Sequence, residues 1–125
     1  MRQYSSLILI LTFILIGFGS CKKDTEITCN LNVADQAPIN MTISFSATQT
    51  GDGTISTLTY KTSAGEETII NPSLPWTIDV TADEGTDISI TAQGKVKDGS
   101  LTVSYLGESQ GSVVEGSDFC THSNN

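Results

Sequence analysis

A chain of 125 residues with 14 Asp+Glu against 6 Lys+Arg and a net charge of -8 holds one domain's worth of sequence and repels a phosphate backbone, so nucleic acid is not an expected partner. The acidic residues are scattered rather than massed, which argues against a disordered acidic tail. Ser, Thr and Ile are abundant while Lys, Arg and Ala are sparse, a balance that favours strands over helices.

Arg2 precedes an apolar run over residues 7–18 (LILILTFILIGF), and the small residues Gly19 and Ser20 follow it. A positive start, an apolar middle and small residues at the end are the order of a cleavable export signal. A membrane span needs about 20 apolar residues, more than this run supplies, which favours a signal over a retained anchor. Phe18-Gly19-Ser20-Cys21 resembles a bacterial lipobox, with Phe18 where leucine is usual. On that reading Cys21 is the first residue of the mature chain and its lipid attachment point. Two or more acyl chains hold a protein to a membrane firmly, where one holds it only marginally. The alternative is a soluble exported protein with a free Cys21. Cys21-Lys22-Lys23-Asp24, continued by Thr25-Glu26, looks like the start of many Bacteroidota lipoproteins. In that group a charged run after the cysteine can mark export to the outer face of the outer membrane. The expected location is the cell envelope, anchored to the outer membrane, with the periplasmic and cell-surface faces both open.

After the tether the chain reads as strands. Ile27, Cys29, Leu31 and Val33 alternate with polar residues and form a first strand, which residues 35–38 break. Met41, Ile43, Phe45 and Ala47 point one way and Thr42, Ser44, Ser46 and Thr48 the other. Thr50-Gly51-Asp52-Gly53 reads as a hairpin turn. The next strand, 54–62, carries Leu58 and Tyr60 inward, and Ile55 breaks its alternation, which predicts a bulge or an edge. A turn over 63–66 leads to a strand over 67–71. Pro72 and Pro75 lack the N–H of a ladder, so 71–76 is expected to cross between sheets, with Leu74 and Trp76 plugging the end of the core. Trp76, Ile78, Val80 and Ala82 then point inward, followed after a turn by Ile88, Ile90 and Ala92. Residues 95–99 read as a polar connection. Leu101, Val103 and Tyr105 face in, 107–111 turn, and a last strand runs through Val113 or Val114, Phe119 and Cys120, leaving His122 in a frayed tail.

Seven or eight short, mostly antiparallel strands with glycine turns and no credible helix predict a β-sandwich. The expected organisation is a lipoprotein signal peptide over 1–20, a lipidated tether over 21–26, the sandwich over 27–121 and a disordered tail over 122–125. Cys29 and Cys120 remain as an even pair in an oxidising compartment, one in the first strand and one in the last. A disulfide between them is favoured over a reactive or metal-binding thiol, because no second histidine or CxxC spacing is present.

Little chemistry is legible. His122 is the only histidine, and no nucleophile with its base, zinc spacing or phosphate-binding loop appears. An enzyme is not expected, nor is a cofactor. Asp83, Glu84 and Asp87, with Asp52, are a candidate for calcium, which takes oxygen ligands. Their spacing fits no EF-hand loop, and a solvated acidic turn is the preferred reading. Tyr60, Trp76 and Tyr105 are the candidate ligand face, although their inward phase also suits core packing.

Leu58-Thr59-Tyr60, Gly65, Leu74-Pro75-Trp76, the run Ile88-Ser89-Ile90-Thr91-Ala92-Gln93, then Gly99-Ser100-Leu101-Thr102-Val103 and Gly107 come in an order that resembles the MmpS family of small mycobacterial membrane proteins. The resemblance covers residues 41–120. It implies an immunoglobulin-like sandwich outside the inner membrane, in a family that serves as accessory subunits of lipid and siderophore exporters. A lipobox stands here where those proteins have a transmembrane helix, and fold alone does not fix function. The expected function is a lipid-anchored, non-catalytic interaction or transport-accessory module whose partners are the membrane, through Cys21, and an envelope protein or exporter subunit. The alternative is a small-molecule or glycan-binding surface lipoprotein.

Overall fold

The computed structural model describes residues 25–124. The expected export signal, Cys21 and the first part of the tether lie outside the described residues.

Eight strands follow one another: β1 (Ile27–Gln36), β2 (Met41–Gly51), β3 (Thr54–Thr62), β4 (Gly65–Ile70), β5 (Trp76–Ala82), β6 (Asp87–Val96), β7 (Gly99–Ser109) and β8 (Ser112–His122). They form two antiparallel four-stranded sheets, ordered β1-β6-β3-β4 and β5-β2-β7-β8. The all-β sandwich predicted by the alternating sequence is the fold. Along each inner strand the apolar set faces the other sheet: Ile43, Phe45 and Ala47 in β2, Ile88, Ile90 and Ala92 in β6, Leu101, Val103 and Tyr105 in β7 are all buried. Each isoleucine, leucine, valine or phenylalanine among them contributes about 1.5–3 kcal/mol by leaving water. Ile55 is buried as well as Leu58, which simple alternation forbids. A register shift between Ile55 and Thr57 inserts the extra residue that lets both face inward.

Besides β1 running through Gln36 into the expected break and β4 starting at Gly65 inside the expected turn, the structure departs from the sequence expectation in five places. Residues 50–53 are not a hairpin, because β2 and β3 belong to different sheets. Gly51 has a positive φ of 65° and lies so close to the Asp98 carbonyl that a side chain would collide with it. Strand β6 runs on through Lys95 to a buried Val96, where a polar connection was expected. Strand β7 continues through Gly107 to Ser109, and the turn shrinks to Gln110 and Gly111, whose φ values of 48° and 81° suit a two-residue hairpin. Phe119 is 65% exposed while Cys120 packs on the core, since neighbours on one strand face opposite ways. His122 is not frayed: it ends β8 opposite Gly99, with Nδ1 2.7 Å from the Lys97 carbonyl oxygen.

The two flanks of the sandwich differ. On one, edge strands β1 and β8 are joined by the Cys29–Cys120 disulfide, with a Cα separation of 6.1 Å. There the Asn32 N–H donates to Asp118 Oδ2 at 3.0 Å. On the other flank lie β4 and β5, and among the described residues no hydrogen bond joins them. The registers also sort the loops. Residues 52–53, 71–75 and 97–98 share one pole with both ends of the domain, and 37–40, 63–64, 83–86 and 110–111 occupy the other.

Candidate functional site

The outer face of the first sheet carries the arrangement best suited to a ligand. Antiparallel register lines up the outward residues in rows. One row holds Asn30, Gln93, Thr57 and Ile70, and the next holds Asn32, Thr91, Thr59 and Thr68. Thr59 and Thr68 are joined through their hydroxyls at 3.0 Å. A depression of about 260 Å³ lies over Asn30, Asn32, Thr57, Thr59, Thr91 and Gln93. It shares Gln93 with a second of about 390 Å³ lined by Thr28, Thr54, Ser56, Asn71 and Lys95. That one shares Thr54 and Asn71 with a third of about 270 Å³ reaching Gln49, Pro72 and Leu74. The three adjoin through these shared residues, the first two as a shallow groove on the outer face of the sheet and the third at the pole, where Gln49 of the other sheet takes part.

The bulge in β3 shapes the middle of this groove. The extra residue Ser56 turns its hydroxyl to the Gln93 carbonyl at 3.1 Å, and its own carbonyl accepts from the Asn71 N–H at 2.9 Å. Asn71 has a φ of 51°, a left-handed conformation that asparagine tolerates better than most residues. Amides and hydroxyls line it beside apolar Leu31, Ile55, Ala92, Pro72 and Leu74, with one cation, Lys95, 3.7 Å from Glu26. Neutral amides and hydroxyls both donate and accept hydrogen bonds. They suit recognition of a neutral polar ligand.

The aromatic residues singled out from sequence do not form an exposed face. Tyr60 is buried between Phe45 and Trp76, with ring centroids 5.5 Å and 5.6 Å away. Trp76 and Leu74 pack half-buried at the edge of the core, as a plug at that end would. Tyr105 is buried on a different strand, and its hydroxyl donates to Asp35 Oδ2 at 2.9 Å. Removal from water, then the hydrogen bond to and the charge of Asp35, push the Tyr105 hydroxyl up to about 12.

The calcium candidates are also separated. Asp83, Glu84 and Asp87 belong to the β5–β6 turn, whereas Asp52 lies beyond the far end of β6, about 30 Å away at the usual rise per strand residue. Asp52 Oδ1 accepts from the N–H groups of Lys97 and Asp98 at 2.9 and 3.0 Å. The amides of Asp98 and Lys97 hold its carboxyl below the usual aspartate range. The acidic turn is organised by backbone instead: Thr86 Oγ1 donates to the Asp83 carbonyl at 2.6 Å and the Glu84 N–H to Asn40 Oδ1 at 2.7 Å. Among the described residues no three His, Cys, Asp or Glu side chains are arranged to hold a metal.

The aromatic residues point inward and give no sign of the groove. The signal for the groove was the opposite phase: Asn30, Asn32, Thr57, Thr59, Thr91 and Gln93 all stand at outward positions of their strands. No protein-family model, no curated protein and no solved structure matches the chain.

Proposed function

We propose that this chain is a lipid-anchored, non-catalytic β-sandwich of the cell envelope, held to the outer membrane through Cys21 and working as an interaction or transport-accessory module. The observation that carries this reading is the Cys29–Cys120 disulfide. Such bonds persist in oxidising compartments and are rare in the cytosol, so the bond supports the export that the apolar leader and the lipobox-like stretch also imply. The Thr25 N–H donates to Asn124 Oδ1 at 3.2 Å, which puts both ends of the domain at the pole where the tether begins. Anchored there, the sandwich turns the pole bearing the 37–40, 63–64, 83–86 and 110–111 loops away from the membrane. The resemblance to the MmpS family narrows the partner to an exporter subunit and the fold to an immunoglobulin-like sandwich; an envelope protein of another kind is the broader case. Crosslinking in the native envelope, with wild type beside Cys21→Ala, is the test. Capture of one defined envelope protein by wild type and its loss in the variant is the expected result. A chain that crosslinks to nothing in either form overturns the module reading.

The groove on the first sheet favours a second reading, a binder of neutral glycans. Its lining of Asn30, Asn32, Gln93 and threonine hydroxyls matches the hydrogen-bonding habit of sugar hydroxyls. Titration with neutral oligosaccharides decides it. Binding that weakens in Gln93→Ala supports a glycan site, and an absence of heat or chemical-shift change retires it.

A further inference from the structure

We infer that the free edge of β5 is a docking site for an extended strand of a partner protein in which apolar and cationic residues alternate. The inference rests on the reading of the domain as an interaction module and names the surface that would do the work.

An edge strand offers unpaired N–H and C=O groups, and folded proteins usually blunt such edges. Three of the four edges here are managed. Those of β1 and β8 face each other across the disulfide, and a β1 amide is taken by Asp118. That of β4 is only 6 residues long and carries Glu66 and Glu67, both exposed. Strand β5 is the least blunted of the four, with Asp79 its one charge. Its 7 residues pair with β2 in unbroken register and hold no proline, lysine or bulge. Its inward residues Trp76, Ile78 and Val80 are only partly covered, as is Ile69 across the open flank on β4. An added strand would therefore find hydrogen-bonding groups along its edge and an apolar seam on its inner side, which is how strand addition combines affinity with side-chain selection.

Charge selects the occupant. Asp79 is the central residue of β5, exposed on the outer face, with Oδ1 held by the Ser44 hydroxyl at 2.6 Å. Antiparallel pairing of β5 with a second copy centred on this strand would set Asp79 opposite Asp79, and like charges directly opposite are destabilising. Glu66 and Glu67 add to the negative flank. A lysine or arginine opposite Asp79, with apolar residues on either side turned toward Ile78 and Val80, satisfies both faces. The partner is thus a heterologous, basic, strand-forming segment.

The test uses the full chain in detergent micelles and a peptide of the same length as β5 that alternates valine with lysine. Trp76, the only tryptophan, stands at the start of β5 and reports binding by its emission. Amide hydrogen exchange locates the bound peptide. The expected result is a shift in Trp76 emission and slowed exchange across residues 77–81. Glutamate in place of the lysine facing Asp79 weakens binding by up to about fivefold, as expected of a cross-strand charge pair, and Asp79→Lys reverses that preference. N-methylation of alternate peptide amides abolishes binding. Protection at any other edge, equal binding of the N-methylated peptide, or no binding overturns the proposal. Such a failure is distinct from failure of the module reading, which envelope crosslinking through another surface would leave standing.

Discussion

The Tyr105 hydroxyl donates to Asp35 Oδ2 at 2.9 Å, bridging β7 of one sheet to the end of β1 in the other. The ring takes the space where Gly116 has no side chain, since a Cβ there would stand 2.6 Å from the Tyr105 hydroxyl oxygen. Tyr105→Phe keeps the packing and removes the hydroxyl donor from Oδ2, while Oδ1 keeps the Gln36 N–H at 2.8 Å. Loss of a hydrogen bond to a charged group predicts a drop of about 1.5–3 kcal/mol in unfolding free energy by urea titration.

The same pair sets a dependence on alkaline pH. The Tyr105 hydroxyl is raised from 10.0 to about 12 in the folded domain. A raised value means that the folded state holds the proton more tightly than the unfolded chain does. The contribution is therefore complete below pH 10.0 and is lost as pH rises toward about 12. Urea midpoints should fall across that window in wild type, and the part of the fall due to this residue should vanish in Tyr105→Phe. Identical alkaline profiles for the two would contradict the assignment.

The disulfide closes a loop between residues 91 apart. The chain-entropy model assigns such a closure about 4–5 kcal/mol. Reduction, or the paired change Cys29→Ser with Cys120→Ser, should lower unfolding free energy by about that amount, and an unchanged urea midpoint would count against it.

Gly94 lies on β6 where its missing side chain gives room to Leu101 of the opposite sheet and to the Thr54 carbonyl of neighbouring β3. A methyl group there must displace backbone. Gly94→Ala is expected to cost about 3 kcal/mol, the upper part of the overpacking range. Gly107→Ala is the comparison, because its nearest atoms are the ends of the Ile43 and Met41 side chains, which can move. Its thermal midpoint should fall by clearly less, and equal falls would refute the distinction.

Calcium at millimolar concentration should leave the melting temperature unchanged. The backbone organises the Asp83–Asp87 turn, and Asp52 is engaged at the other end of the domain. A binding cation would raise the midpoint by mass action.

Much of this fold was written in the alternation. Ile43 and Phe45, Ile88 and Ile90, Leu101 and Val103 each announced an inner face, and the misfit of Ile55 announced the bulge. The Cys29–Cys120 pairing was legible from parity and from the compartment that an export signal implies. Sheet membership was not: Gly51-Asp52-Gly53 looks like a hairpin whether its strands pair or part, and here β2 and β3 part into different sheets. Strand ends were also hidden, because Val96 and His122 lie beside charged or polar neighbours that read as loop. The groove was obscured for a related reason. It is assembled from ordinary outward Asn, Gln and Thr of separate strands, and only the register places them side by side.

The attachment of Cys21 to lipid is the claim on which the account turns, and the mass of the N-terminal peptide from the isolated membrane fraction tests it most directly. The expected result is a mature chain beginning at Cys21, with a diacylglyceryl group on the sulfur and an acyl group on the amine. A peptide that runs through Ser20 into an unmodified Cys21, or a mature start at any other residue, would contradict it.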